Sequence, residues 1–308
     1  KTNKSLINDL TWDYKTFLFE NGIKSKIFSE IKNVNYEAKN IERLKTNPTN
    51  EIYGALGFLS ELNLFKNFDN NHQHLFSPKF LLRYAPGNMK KENDDGFRIN
   101  SSNIFTLNRI SSEDNFESGL NATLGFDYEI QKDKDTFSFS GGQIINQKEN
   151  KKMSSESSLD EKLSDFVASS SLNFNNKVKF DYNFSLDESY KKINYNDFQT
   201  SLDFNLFSMN INYLKEKEHY GNNEYVETQL NFKKSNNAII SLKGKRNLIT
   251  NSSDYYDLSY EYLNDCLRAG IVYRREFYSD SEIEPENSLM FKITLVPFGN
   301  LISQSIDQ

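Results

Sequence analysis

The chain has 308 residues, 37% of them hydrophobic and 14% aromatic, with 25 Phe and 17 Tyr against one Trp and a formal net charge of −6. Low hydropathy by itself would suggest disorder, but disordered segments are poor in aromatic rings and lack the sustained two-residue periodicity present here. No basic stripe accompanies the negative charge, so nothing points to nucleic acid as a partner, and no apolar run is long enough to cross a membrane as a helix.

Residue 1 is Lys, with no charged and apolar leader behind it, so the chain reads as processed or as a fragment. Asn21-Gly22 is a favoured hairpin dipeptide. Residues 23–38 follow as a strand whose apolar residues fall on both faces, and 39–50 read as a loop. A turn over 66–73, with His72 and His74 straddling Gln73 at its end, leads into a strand ending near Ala85. Pro78 lies inside that strand and removes a ladder donor, which predicts a bulge or local opening. Residues 85–115 read as one long outer loop, with 103–109 as a hairpin or an inward fold rather than a membrane strand.

The next strand places Leu120, Ala122, Leu124, Phe126, Tyr128 and Ile130 on one face and Asn121, Thr123, Gly125, Asp127 and Glu129 on the other. Val178, Phe180, Tyr182, Phe184 and Leu186 alternate with Lys179, Asp181, Asn183 and Ser185 in the same way. Leu267, Ala269, Ile271 and Tyr273 do so against Arg268, Gly270 and Arg274. An Arg or Lys on the lipid face at the bilayer midplane costs roughly 2–4 kcal/mol, so the polar sets should face an interior. Asp127, Glu129, Arg268 and Arg274 are therefore expected in a wet lumen.

Connections alternate in length. Residues 132–134, the Asn175-Asn176 pair, the neighbourhood of Phe207, 235–236 and 264–265 are short. Residues 148–164, 189–195, 218–222, 249–252 and 279–286 are long. Short periplasmic turns alternating with longer outer loops are the signature of an outer-membrane barrel. The expected fold is all-β, an antiparallel transmembrane β-barrel contributing about 15 strands of roughly ten residues each. Bacterial single-chain barrels normally have an even count, so that odd number implies either one further strand or an upstream part outside the chain, and Lys1 as first residue favours the second.

Other chemistry is sparse. His72, His74 and His219 are the histidines, and none is spaced against a nucleophile or acid, so no enzyme and no cofactor are expected. His72 and His74 alone fall short of a zinc site. Asp94-Asp95 and Glu113-Asp114 in the long outer loop have the oxygen ligands that calcium or magnesium prefer, although acidic loops are usually solvated. Lys151-Lys152 and Lys191-Lys192 could meet phosphates. Cys266 cannot form a disulfide within the chain.

Residues 266–299, with Cys266-Leu267-Arg268, Tyr273-Arg274-Arg275, Ile283-Glu284-Pro285 and Pro297-Phe298-Gly299, resemble the C-terminal end of the LPS-assembly protein family LptD. The resemblance extends upstream through Arg83-Tyr84-Ala85-Pro86-Gly87, Leu107-Asn108-Arg109 and Gly119-Leu120, from roughly residue 50. It implies a translocon that inserts lipopolysaccharide into the outer leaflet, with a periplasmic jellyroll and the first strands of a barrel of about 26 strands lying upstream of this chain. It also implies the plug lipoprotein LptE, the periplasmic bridge protein LptA and the barrel-assembly machinery as partners. The family's lateral gate lies between first and last strands, which would make Leu289, Phe291, Ile293 and Leu295 its C-terminal side. The family carries an adjacent cysteine pair where this chain has Cys266-Leu267, so one disulfide to the absent N-terminal region remains, with a free thiol as the plain alternative. A general porin or solute channel would share the strand pattern.

Overall fold

The computed structural model describes the chain except residues 1, 40, 42–43, 69–70, 93–97, 111, 218–219, 236, 265, 278–286, 296–298, 303–305 and 308. Two compact units divide it. The first comprises Lys1–Ser170, Asn183–Tyr195 and Glu216–Gly221, and the second Ser171–Tyr182, Asn196–Lys215 and Asn222–Gln308.

The first unit is an antiparallel meander. Strands β1 (Thr2–Asp13) and β2 (Phe17–Leu18) both pair with β3 (Ile23–Lys39), and β3 pairs with β4 (Thr49–Leu62). Strand β4 and its short continuation β5 (Leu64–Phe68) lie along β6 (His72–Ala85). Strand β6 pairs with β7 (Gly119–Lys132), and β7 with β8 (Asp135–Asn146). The interruption between β4 and β5 falls at Leu62 and Asn63, in register with Pro78 on β6. Proline has no N–H to donate to the ladder, and the opening expected at that residue is where the sheet breaks. His72 and His74 stand at the start of β6 rather than in a turn, because the two strands run on almost to residue 70.

Strands β9 (Phe166–Phe174), β10 (Val178–Leu186), β11 (Ile193–Asp203) and β12 (Phe207–Glu216) follow. Their tight turns belong to the second unit. Asn175 and Asn176 both take positive φ, 50° and 55°, the left-handed pair that a two-residue hairpin of matching twist requires. The second unit continues as a meander of β13 (Asn223–Ser235), β14 (Ala238–Asn247), β15 (Ser252–Leu263), β16 (Leu267–Glu276) and β17 (Asn287–Leu295). The short β18 (Gly299–Ile302) and β19 (Ile306–Asp307) fold back against β17. Leaving aside the short β2, β5, β18 and β19, the strands among the described residues number 15, as expected from the sequence.

Burial separates the two faces of the first unit. On β6 and β7, Leu82, Tyr84 and Leu124 are 43%, 53% and 50% exposed, whereas Leu81, Arg83 and Thr123 between them are fully buried. What covers the second set is the chain itself. The described residues of the segment 86–118 form no strand and pack inward with residues 147–165. Met89, Ile99, Ile104 and Ile110 join Ile144, Met153, Leu159 and Val167 in one apolar cluster, while Leu107 and Phe116 meet Ala55 and Ala85 in another. The apolar residues on both faces of β3 have the same cause, since Val34, Tyr36 and Ala38 are buried with Leu44 while Ile31 on the other face is exposed.

Glycines make room for this inward fold. A Cβ on Gly57 would stand 2.7 Å from Leu107, and one on Gly125 would stand 2.5 Å from the Gly141 carbonyl and 2.8 Å from the Phe105 ring. Gly125→Val should therefore destabilise the fold by about 1–3 kcal/mol through overpacking, read as a lowered urea midpoint in detergent micelles. An unchanged midpoint would mean that Phe105 does not pack there.

Candidate functional site

The inward loop is pinned by a buried ionic group. Arg83 of β6 is fully buried, Arg109 and Glu117 of the loop are each 3% exposed, and the three meet on the covered face. Arg109 donates to both Glu117 carboxylate oxygens, its Nε to Oε2 at 2.7 Å. Arg83 donates through Nε to the Leu107 carbonyl at 2.5 Å and through Nη2 to the Glu117 carbonyl, and its Nη1 lies 3.6 Å from Glu117 Oε1. Burial by itself would raise the Glu117 carboxyl, but Arg109 and Arg83 outweigh it and hold the group below the ordinary carboxylate range. Two guanidinium groups sharing one carboxylate thus fasten the loop at Leu107 and Glu117 to one strand.

Further polar contacts extend the fastening. Lys90 reaches Glu51 Oε2 at 2.7 Å and donates to the Asp114 carbonyl at 2.9 Å, with its ammonium 4.4 Å from the centre of the Tyr36 ring. The Asn115 side chain closes the loop on itself, accepting from Lys90 N and donating to Lys90 O. Arg98 lies 3.5 Å from the centre of the Tyr195 ring and makes a 2.7 Å ion pair with the buried Glu216. On the 147–165 segment, burial and the neighbouring Glu188 carboxylate push the Glu161 carboxyl up to about 7.

The predicted site residues fall as follows. Asp127 shares the loop-covered face with Thr123 and is ion-paired with Lys79, while Glu129 lies further along that face and is exposed. In the second unit Arg274 binds Asp257 through two hydrogen bonds of 2.7 and 2.8 Å, and Arg268 meets Glu261 at 2.6 Å. Lys243 pairs with Glu227 at 2.6 Å on the same side, and Tyr255 donates to Glu227 at 3.0 Å. Charges of both signs thus ladder across β13 to β16, while Leu258, Tyr260, Ile271 and Tyr273 are exposed on the opposite face. Leu289, Phe291, Ile293 and Leu295 alternate along one exposed face of β17, between 39% and 46% accessible. Cys266 is an exposed thiol beside Asn264, whose Oδ1 accepts from the amides of residues 266 and 267.

Asp94-Asp95, His219 and the loop 279–286 lie outside the described residues. Asp114 is buried beside Lys90 rather than held out to a cation. The importance of Arg83, Glu117 and Arg98 was missed in the sequence. The signal available was Arg83 itself, a charge placed by strict alternation at a position whose neighbours Leu81 and Ala85 are apolar.

Glu117→Gln should cost about 3–5 kcal/mol by leaving two buried guanidinium groups short of an anion, and should open residues 86–118 to limited proteolysis. A loop as protected as in the unaltered protein would exclude the fastening role. A raised carboxyl pKa binds an extra proton in the folded state, so the contribution of Glu161 is fully present below 4.5 and fades as pH rises toward about 7. Glu161→Gln should flatten that dependence in thermal melts recorded between those limits; melts of the two proteins that keep the same pH slope would argue against it.

No curated protein matches the chain. Among solved structures, a mutant of the Rh. blastica porin has a TM-score of 0.37 at 10% identity, covering 88% of this chain and 89% of its own. A triple mutant of the Rhodopseudomonas blastica porin has a TM-score of 0.33 at 9% identity, covering 93% of this chain and 100% of its own. The family model described as LptD, LPS transport system D, matches residues 29–260, well over half of the sequence. The chain therefore belongs to the LptD family, as an outer-membrane β-barrel component of lipopolysaccharide transport.

Proposed function

We propose that the chain forms the C-terminal part of a translocon that inserts lipopolysaccharide into the outer leaflet through the barrel lumen and a lateral gate. The cargo has an anionic polar head and several acyl chains, so its path must be wet on one side and apolar on the other. The observation that carries the reading is the division of faces on β13 to β17. The Glu227, Lys243, Asp257, Glu261, Arg268 and Arg274 side carries charges of both signs, and the other side exposes Tyr, Leu, Ile and Phe. Paired charges of opposite sign make a hydrated wall without holding an anionic head as tightly as a run of unpaired cations would.

In this reading Asp127 and Glu129 also face the lumen, the short turns lie in the periplasm, and the inward loop narrows the outer end of the lumen. Leu289, Phe291, Ile293 and Leu295 on β17 form the C-terminal side of the gate. Backbone groups facing lipid must be paired, so a seam opens at low cost only where few ladder bonds have to be exchanged. LptE is the plug partner, LptA delivers the cargo, and the barrel-assembly machinery inserts the strands. Cys266, exposed at a periplasmic turn, forms a disulfide to a cysteine upstream of this chain, since free thiols are disfavoured in oxidising compartments.

Depleting the full-length protein in its own cell should remove lipopolysaccharide from the surface and accumulate it in the periplasm. Photo-crosslinkers at Phe291 and Ile293 should then capture lipopolysaccharide. Normal surface lipopolysaccharide on depletion would sink the translocon and leave a solute channel as the better reading. Cys266→Ser should abolish a mobility difference between reduced and non-reduced gels of the full-length protein; a difference that persists would assign the disulfide elsewhere.

A further inference from the structure

We propose that the outward face of β5, β6 and β7, at the end bearing their short turns, binds the phosphate of an anionic phospholipid. The register places Lys66 opposite His74 and His72 opposite Lys132, so these four side chains leave the sheet on one side. That side is the outward one, because it continues along the same strands through Phe76, Leu82, Tyr84 and Leu124, all at least 40% exposed. Strand spacing of about 4.8 Å and a rise of about 3.3 Å per residue put the four in a patch of roughly 10 by 7 Å, the footprint of a lipid headgroup.

The patch is organised. His74 Nδ1 lies 2.8 Å from the Tyr128 hydroxyl, and the Nε2 atoms of His72 and His74 are 2.8 Å apart, which fixes both rings. Phe68 packs against His72 and His74 with centroids 5.2 and 5.0 Å away, and the Lys66 ammonium stands 4.7 Å from the Phe68 ring centre. Phe76, Phe126 and Phe139 continue the aromatic belt with successive centroid distances of 5.9 and 5.7 Å. At the turn end these strands border a depression of about 520 Å³ whose walls include Phe68, Asn71 and His72.

Charge decides the occupant. Lys66, Lys132 and the two imidazoles are opposed on this face by Asp135, which sits in register with Lys132, and at the turn by Asp133. The flanking lysines repel a metal ion, and two imidazoles are too few ligands to hold one against that repulsion. A phosphate at the membrane interface meets the lysines as an anion and the aromatic belt as a headgroup-level neighbour. The inference rests on the proposed placement of the short turns at the periplasmic surface, where the inner leaflet supplies such lipids.

The test uses the full-length protein with its natural partners, released from the membrane and incubated with phosphatidylglycerol, with phosphatidylcholine, or with inorganic phosphate or zinc alone. Native mass spectrometry should count retained phosphatidylglycerol. The Lys66→Gln/Lys132→Gln variant should retain it about fivefold less well per lysine removed, and Lys66→Arg/Lys132→Arg should restore retention. Heat-modifiable gel mobility certifies that each variant is folded. Equal retention by the glutamine variant, equal retention of phosphatidylcholine, displacement by inorganic phosphate, or zinc retained through His72 and His74 would each overturn the proposal. Surface lipopolysaccharide in the depletion experiment is a separate readout, so failure of the transport reading leaves the lipid count interpretable.

Discussion

A strand facing hydrocarbon has no water to satisfy its N–H and C=O groups, and the whole chain is arranged around that constraint. Each long strand therefore takes an antiparallel neighbour, and successive side chains alternate between a face that meets lipid and a face that does not. Where the constraint cannot be met, the sheet shows it. Pro78 offers no donor, and the ladder that β4 and β5 make with β6 is interrupted in register with it. The alternation then leaves the second face free to be wet or filled, and the two units make different choices. On β13 to β16 it is laddered with ion pairs, while on β3 to β8 it is sealed by the chain's own loops.

Sealing a polar face with apolar residues requires burial of whatever charge the strand already carries there. Arg83 cannot reach water, so the loop brings its own anion in Glu117 and a second cation in Arg109, and the backbone carbonyls of Leu107 and Glu117 accept from Arg83 Nε and Nη2. Such a group contributes little net stability compared with an apolar equivalent, because desolvation offsets most of the attraction. What it supplies is specificity of position. The bonds of Arg83 to the Leu107 and Glu117 carbonyls hold that part of the loop where Leu107 meets Gly57 and Phe116 joins Ala85 in one cluster.

Much of the fold was legible in particular residues. The two-residue alternation from Leu120 to Ile130 gave both the strand and its inward face, since Thr123 is buried while Leu124 is exposed. Asn175-Asn176 and Asn21-Gly22 gave turns, because few other residues tolerate the positive φ these turns contain. The site was less legible. Arg268 and Arg274 could be assigned to a polar face, but their partners Glu261 and Asp257 are set by register between strands, which alternation on one strand does not fix. His72 and His74 read as turn residues until pairing extended β6 to include them.

The sequence by itself determined the class of structure, the order of strands and turns, and which side chains share a face, because these depend on periodicity and on the conformational limits of Asn, Gly and Pro. Only the tertiary structure decided what each face meets. The long loop could have stood out in solvent or folded inward, and its composition permits both. The choice is made by groups far apart in sequence, Arg83 with Glu117, Gly125 with Phe105 and Arg98 with Glu216, whose distances are fixed by packing and not by spacing along the chain.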